Sequence, residues 1–222
     1  MLGWIILSCC VLLLLLSIVL FFSDSIRRSL EKRRFDKRVY KVLRHFADEN
    51  DHLLLNQVTL YLLGDATKPV VYDHILFADK YIYVVKSFTM QGGIYGNASD
   101  PSVFLKDYKN NTQRIENPIL ANKEQVRKLE TALRVSPDDK MFVSVIVYNP
   151  SLAVPKMIAR KDVTDWFLPV TELEKTLRMA ENDSVTPIRH EQTDRLALML
   201  KKRSDETKRE LEEEAIRSRK KK

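Results

Sequence analysis

An α/β sandwich preceded by one membrane-spanning helix is the architecture this sequence predicts, on three observations. An uncharged apolar run opens the chain, two β-rich runs lie only two residues apart, and a strand-length apolar run, MFVSVIVY at Met141 to Tyr148, follows a helically spaced segment. Its 222 residues leave room for one ordinary domain with appendages. At 45% hydrophobic and 30% charged, the composition excludes a disordered or collagen-like chain. Cys9 and Cys10 are adjacent inside the apolar run, so no disulfide can tie distant segments and no cysteine metal site is expected.

Residues 1–22, MLGWIILSCCVLLLLLSIVLFF, carry no charge. At about 1.5 Å of rise per residue they match the roughly 30 Å hydrocarbon core of a bilayer. No basic residue precedes the run and no small-residue cleavage site follows it, so an anchor is expected rather than a cleaved signal. Arg27, Arg28, Lys32, Arg33, Arg34, Lys37 and Arg38 crowd its C-terminal side, and such charges stay in the cytoplasm. The expectation is a single-pass protein of the cell membrane with its N-terminus outside and its domain in the cytoplasm.

The net charge of +7 does not describe a basic domain. Nine Lys/Arg against three acidic residues fall in 24–44 and ten against six in 201–222, which leaves 45–200 net negative. Positive charge is thus confined to the flanks, where the first cluster suits anionic headgroups.

Ser25 to about Ala47 has helical spacing, with Ile26, Leu30, Phe35, Val39, Leu43 and Phe46 recurring among charges. Leu53 to Leu63 is apolar with a spacing that does not choose between helix and strand, and Lys68-Pro69 predicts a turn. Val70 to Ala78 and Tyr81 to Phe88 then read as a hairpin around Asp79 and Lys80. Short strands are expected near Gly93 and at Val103 to Leu105. Asn117-Pro118 opens a helix to about Arg134, Met141 to Tyr148 is a strand covered on both faces, and helices follow at Val170 to Ala180 and Pro187 to Lys202. The tail from Ser204 alternates charge blocks, as a solvated helix or as disorder. The segments are therefore a transmembrane helix (1–22), a basic juxtamembrane helix (23–48), an α/β domain (49–185) and a charged C-terminal helix and tail (186–222).

A two-residue turn at Asp79-Lys80 puts Asp73 opposite Lys86 among mostly apolar neighbours. From periodicity alone this reads as a cross-strand ion pair that fixes register. The runs Tyr72-Asp73-His74-Ile75-Leu76, Tyr81-Ile82-Tyr83-Val84-Val85-Lys86, Gly93-Ile94-Tyr95-Gly96 and Asn117-Pro118 with Gln125 resemble the nuclease-related domain, NERD, over about residues 33–150. The resemblance implies a restriction-endonuclease-like α/β/α core with a central mixed sheet, of the PD-(D/E)xK type. It also implies Asp73 as a metal ligand, Lys86 as the lysine that steadies the attacking water, Asp36 at the place of a first-helix glutamate, and Gln125 facing the site. The family pattern has Glu or Asp two residues before the lysine, and here that residue is Val84. Magnesium or manganese would then be held weakly, through one hairpin carboxylate and substrate phosphates. His45, His52, His74 and His190 show no metal-ligand spacing. The expected function is a membrane-anchored NERD protein with a degenerate nuclease-like site that binds nucleic acid or a protein. The alternatives are an active metal-dependent DNA nuclease, or a structural protein that docks a partner through residues 186–222.

Overall fold

The computed structural model describes residues 29–62, 65–89, 92–107, 109–136, 139–150 and 165–220. The expected transmembrane span at 1–22 lies outside them, and among the described residues no helix is long and apolar enough to cross a membrane. Two compact units divide the chain, Met1–Arg38 and Val39–Lys222. Residues 29–49 are helical (α1), and the division falls inside this helix. The first unit contributes the helical residues 29–38, and the second contains the sheets.

In chain order the second unit holds β1 (Leu53–Leu62), β2 (Asp65–Phe77), β3 (Ile82–Phe88), β4 (Gly93–Tyr95), β5 (Ser102–Lys106), β6 (Thr112–Glu116), α2 (Pro118–Leu133), β7 (Phe142–Tyr148), β8 (Asp165–Pro169), α3 (Leu173–Glu181) and α4 (His190–Lys220). A five-stranded sheet has the order β1-β2-β3-β7-β8, and β4-β5-β6 form a separate small sheet. The first three strands of the large sheet pair antiparallel and the last three parallel. The sheet is mixed, which is compatible with a nuclease-like core. β7 is buried along almost its whole length, which is why FVSVIVY reads as a continuous apolar run.

Alternation along the strands sorts the side chains into two layers. Ile75, Phe77, Ile82 and Val84 share one core cluster with Val126 and Leu129 of α2 and with Leu196, Ala197 and Leu200 of α4. On the opposite face His74 stacks against Tyr40 of α1, while the Tyr83 hydroxyl donates to Glu181 Oε1 of α3 at 2.5 Å. Burial, and then the Glu181 carboxylate, push the Tyr83 phenol far up. Arg178 of α3 lies over the Phe46 ring of α1, so these two helices share that face.

Three segments differ from the sequence reading, Lys68-Pro69, β6 and β8, and two that it left open, Leu53–Leu62 and the charged tail, are decided. Leu53–Leu62 is a strand whose alternation is broken by Gln57, which sits in the left-handed region at φ 50°. The expected turn at Lys68-Pro69 is instead inside β2. Pro69 needs no ladder hydrogen there, because the β1–β2 register shifts between Leu60 and Leu62. β6 and β8 are additional strands. The charged tail is helical, and α4 runs unbroken from His190 to Lys220. Near its middle Ser204 Oγ accepts the Thr59 N–H at 3.0 Å, and Arg203 donates to the Ala132 carbonyl at the end of α2. Thr59 pairs with Val71 of β2 on its other side, so α4 covers the outer edge of β1 at this residue.

Candidate functional site

The hairpin has the register that a two-residue turn dictates: Phe77 faces Ile82, Leu76 faces Tyr83, Ile75 faces Val84 and His74 faces Val85. Ala78 N–H bonds to the Tyr81 carbonyl, so the hydrogen-bonded rungs are 78/81, 76/83 and 74/85. The next such rung would send the Ser87 N–H to the Tyr72 carbonyl. It goes instead to Asp73 Oδ2, at 3.1 Å. The rung to β1 also lapses at this residue, because Gln57, opposite Asp73, is the left-handed residue that leaves the ladder. The sheet therefore opens on both sides of Asp73, and its carboxylate takes the place of a backbone acceptor.

Lys86 Nζ lies 3.6 Å from the same Oδ2, with the lysine side chain 39% exposed and the aspartate side chain 12% exposed. That separation exceeds a hydrogen bond, so the ammonium keeps donors for an incoming oxyanion. Beneath the pair, Asn122 Nδ2 donates to the Val84 carbonyl and to Ser144 Oγ, fixing α2 to β3 and β7. One turn on, the Gln125 carbonyl accepts the Tyr72 hydroxyl at 3.1 Å, and burial holds that phenol above its ordinary range. Gln125 is half-buried beside this contact. Asp36 lies on α1 in the first unit, whereas the hairpin belongs to the second.

Val84 decides what the opening can hold. Its side chain is 1% exposed and packs among Ile75, Val126 and Leu129. Valine offers no ligand atom, and among the described residues no group of three metal-ligating side chains includes Asp73. One carboxylate beside one ammonium can bind a phosphate and steer it. It is a poor cage for a divalent cation, which needs several oxygens at once.

His74, adjacent to Asp73, turns to the other face. Its Nδ1 bonds to Asn56 Oδ1 at 2.7 Å, and its Nε2 is buried without a hydrogen-bond partner among the described residues. Burial moves its pKa down to about 4, against the opposing pull of Asp73.

Two groups with donor atoms close enough to share a cation were missed because their members are far apart in sequence: His45 with Glu49 and Glu174, and His52 with Asp79 and Glu181. Both already have internal partners. Arg178 bridges Glu49 and Glu174, and both Glu181 oxygens accept, from Lys80 N–H and from Tyr83. Asp79 stands at the turn, about 20 Å along the hairpin from Asp73.

The nuclease-related domain model, NERD, matches residues 31–149, more than half of the chain. The chain belongs to the NERD family. No curated protein and no solved structure matches it. The matched stretch covers the hairpin, the small sheet, α2 and β7, so the NERD match takes in Asp73, Lys86, Gln125 and Asp36 alike.

Proposed function

We propose that this NERD protein binds nucleic acid through the opening at Asp73 and Lys86 and has lost efficient phosphodiester cleavage. On this reading its fold is that of restriction-endonuclease-like enzymes, and residues 1–22 hold it at the cytoplasmic face of a membrane. The observation that carries the loss of cleavage is Val84, a core valine where the family pattern puts a carboxylate. Lys86 remains to take a phosphate oxygen, and Asp73 remains to orient the strand around it. The uncharged N-terminal run and the basic residues after it support the anchor and its direction.

The test is manganese calorimetry and a cleavage assay on the purified full chain in detergent, with Asp73→Ala, Lys86→Ala and Val84→Glu. The expected result is no turnover by the unaltered chain, and manganese binding that appears only in Val84→Glu. Manganese-dependent cleavage by the unaltered chain, abolished by Asp73→Ala and Lys86→Ala, would make the protein an active nuclease and overturn the proposal.

A further inference from the structure

The small sheet β4-β5-β6 has one face against the core, where Ile94, Val103 and Leu105 pack with Ile119, Ile146 and Phe167. Its other face is exposed. Register places Tyr95 opposite Phe104 and Phe104 opposite Arg114, one continuous row across all three strands. At a strand spacing of about 4.8 Å the row is about 10 Å wide. Tyr95 is 42% and Phe104 50% exposed, high for aromatic side chains within strands. In the adjoining row Gly93 faces Lys106, whose side chain is exposed.

The row is preformed. A Cβ at Gly93 would come within 2.7 Å of Tyr95 Cε2 and 2.9 Å of its hydroxyl, so the tyrosine ring lies over the glycine, along the sheet surface. Arg114 Nε donates to Ser102 Oγ at 2.6 Å, which holds the guanidinium across the neighbouring strand. The result is two exposed aromatic side chains on neighbouring strands beside a cation held by Ser102, and a second cation, Lys106, at the strand end.

We infer that this face is a stacking platform for a single strand of nucleic acid, with bases on Tyr95 and Phe104 and phosphates at Arg114 and Lys106. Every base has a π-face and every linkage a negative charge, and two rings with a cation to either side of Phe104 match both, the exposed Glu116 standing at the far edge opposite Ser102. A duplex buries its base faces and cannot use the rings. An apolar protein partner would meet cations where it needs aliphatic surface. The location fits as well. Ile146, the β7 neighbour of Lys86, is in the same cluster as Ile94 and Val103, so the small sheet packs beside the end of the large sheet where Asp73 and Lys86 lie, with the platform on its outer face. The platform rests on the nucleic-acid reading of that opening and adds the form of the ligand.

The test is fluorescence anisotropy on the full chain in detergent with a chelator present. The probe is a labelled oligothymidylate of about 15 nucleotides, set against the same strand annealed to its complement. Tighter binding of the single strand is expected, with a loss of about 5- to 150-fold in Phe104→Ala and in Tyr95→Ala, at one stacked base each. Gly93→Ala adds a methyl that meets the Tyr95 ring, and it is expected to weaken binding without removing an aromatic. Arg114→Gln is expected to lower the steepness of log K against log salt by about 0.7. Circular dichroism and melting of each variant separate lost binding from lost fold. Unchanged single-strand affinity in a folded Phe104→Ala overturns the platform. Duplex binding that ignores all four variants also overturns it while leaving the nucleic-acid reading intact, and no binding of either probe removes both. Displacement of the strand by a proline-rich peptide with higher affinity would reassign the face to a protein ligand and overturn it too.

Discussion

Acid should weaken this protein through one side chain, His74. The ring is 4% exposed, stacks on Tyr40, and donates its Nδ1 proton to Asn56 Oδ1, since an amide oxygen can only accept. A second proton would have to go to Nε2, in a dry site with no acceptor among the described residues. That is the cause of the pKa of about 4. Unfolded histidine titrates near 6.5. Between these values the unfolded chain binds a proton that the folded chain refuses, so stability falls as pH falls from 6.5 towards 4. A difference of about 2.5 units at 1.36 kcal/mol each sets a ceiling of about 3.4 kcal/mol, of which about 2 to 3 kcal/mol is already lost at about pH 4.5. The assay is urea unfolding followed by circular dichroism from about pH 7.5 to 4.5 with a chelator present, comparing the unaltered chain with His74→Gln. Glutamine keeps a donor for Asn56 and does not titrate. The two stability curves should converge or cross as acid is added, their difference changing by about 2 to 3 kcal/mol. Parallel curves, or a His74 resonance that titrates near 6.5, would refute the reasoning.

Substitutions at two further sites test how the elements are fastened. Asn117 caps α2 by accepting the Ile119 N–H, and its amide donates to the carbonyls of Asn97, Ala98 and Asp100, so Asn117→Ala should cost about 2 to 4 kcal/mol in urea unfolding. Asn117→Asp keeps the cap acceptor but turns a carboxylate oxygen onto those three carbonyls in a fully buried site, and should recover none of that loss. Ser204→Ala leaves the buried Thr59 N–H without its acceptor and should cost about 1 to 3 kcal/mol, with faster hydrogen exchange at the Thr59 amide as the local readout.

The hairpin was legible because a two-residue turn fixes every later pair, and both flanking runs are apolar enough to define strands. That arithmetic also brings Asp73 to Lys86. It could not show that the ladder stops one rung short of them, since this depends on Gln57, a residue of β1 whose left-handed conformation has no glycine or asparagine to mark it. The same break shifts the inward face of β1, so Leu55 and Val58 both point to one core and the spacing fits neither a strand nor a helix. β6 escaped notice because Thr112-Gln113-Arg114-Ile115-Glu116 has one apolar residue, enough for a strand that covers the core with a single side chain. β8 is five residues, Asp165–Pro169, and its aromatic pair reads equally well as a loop anchored in the core. Val84 was visible as the wrong residue for a metal ligand, but its depth among Ile75, Val126 and Leu129 could only come from the packing of α2.

The fastening of β1 by Ser204 also sets a clock. Thr59 and Ser204 are 145 residues apart in the chain, so the strand leaves the ribosome long before the helix that seals it. At about 5 to 20 residues per second, the outer edge of β1 stays open for about 7 to 30 s of synthesis. β2 can pair with β1 early, because that contact is local, yet the free row of amides remains available to any other extended chain during that interval. Newly made molecules on crowded polysomes are therefore at greater risk of mispairing than finished ones, and chains that terminate before α4 would carry the risk permanently.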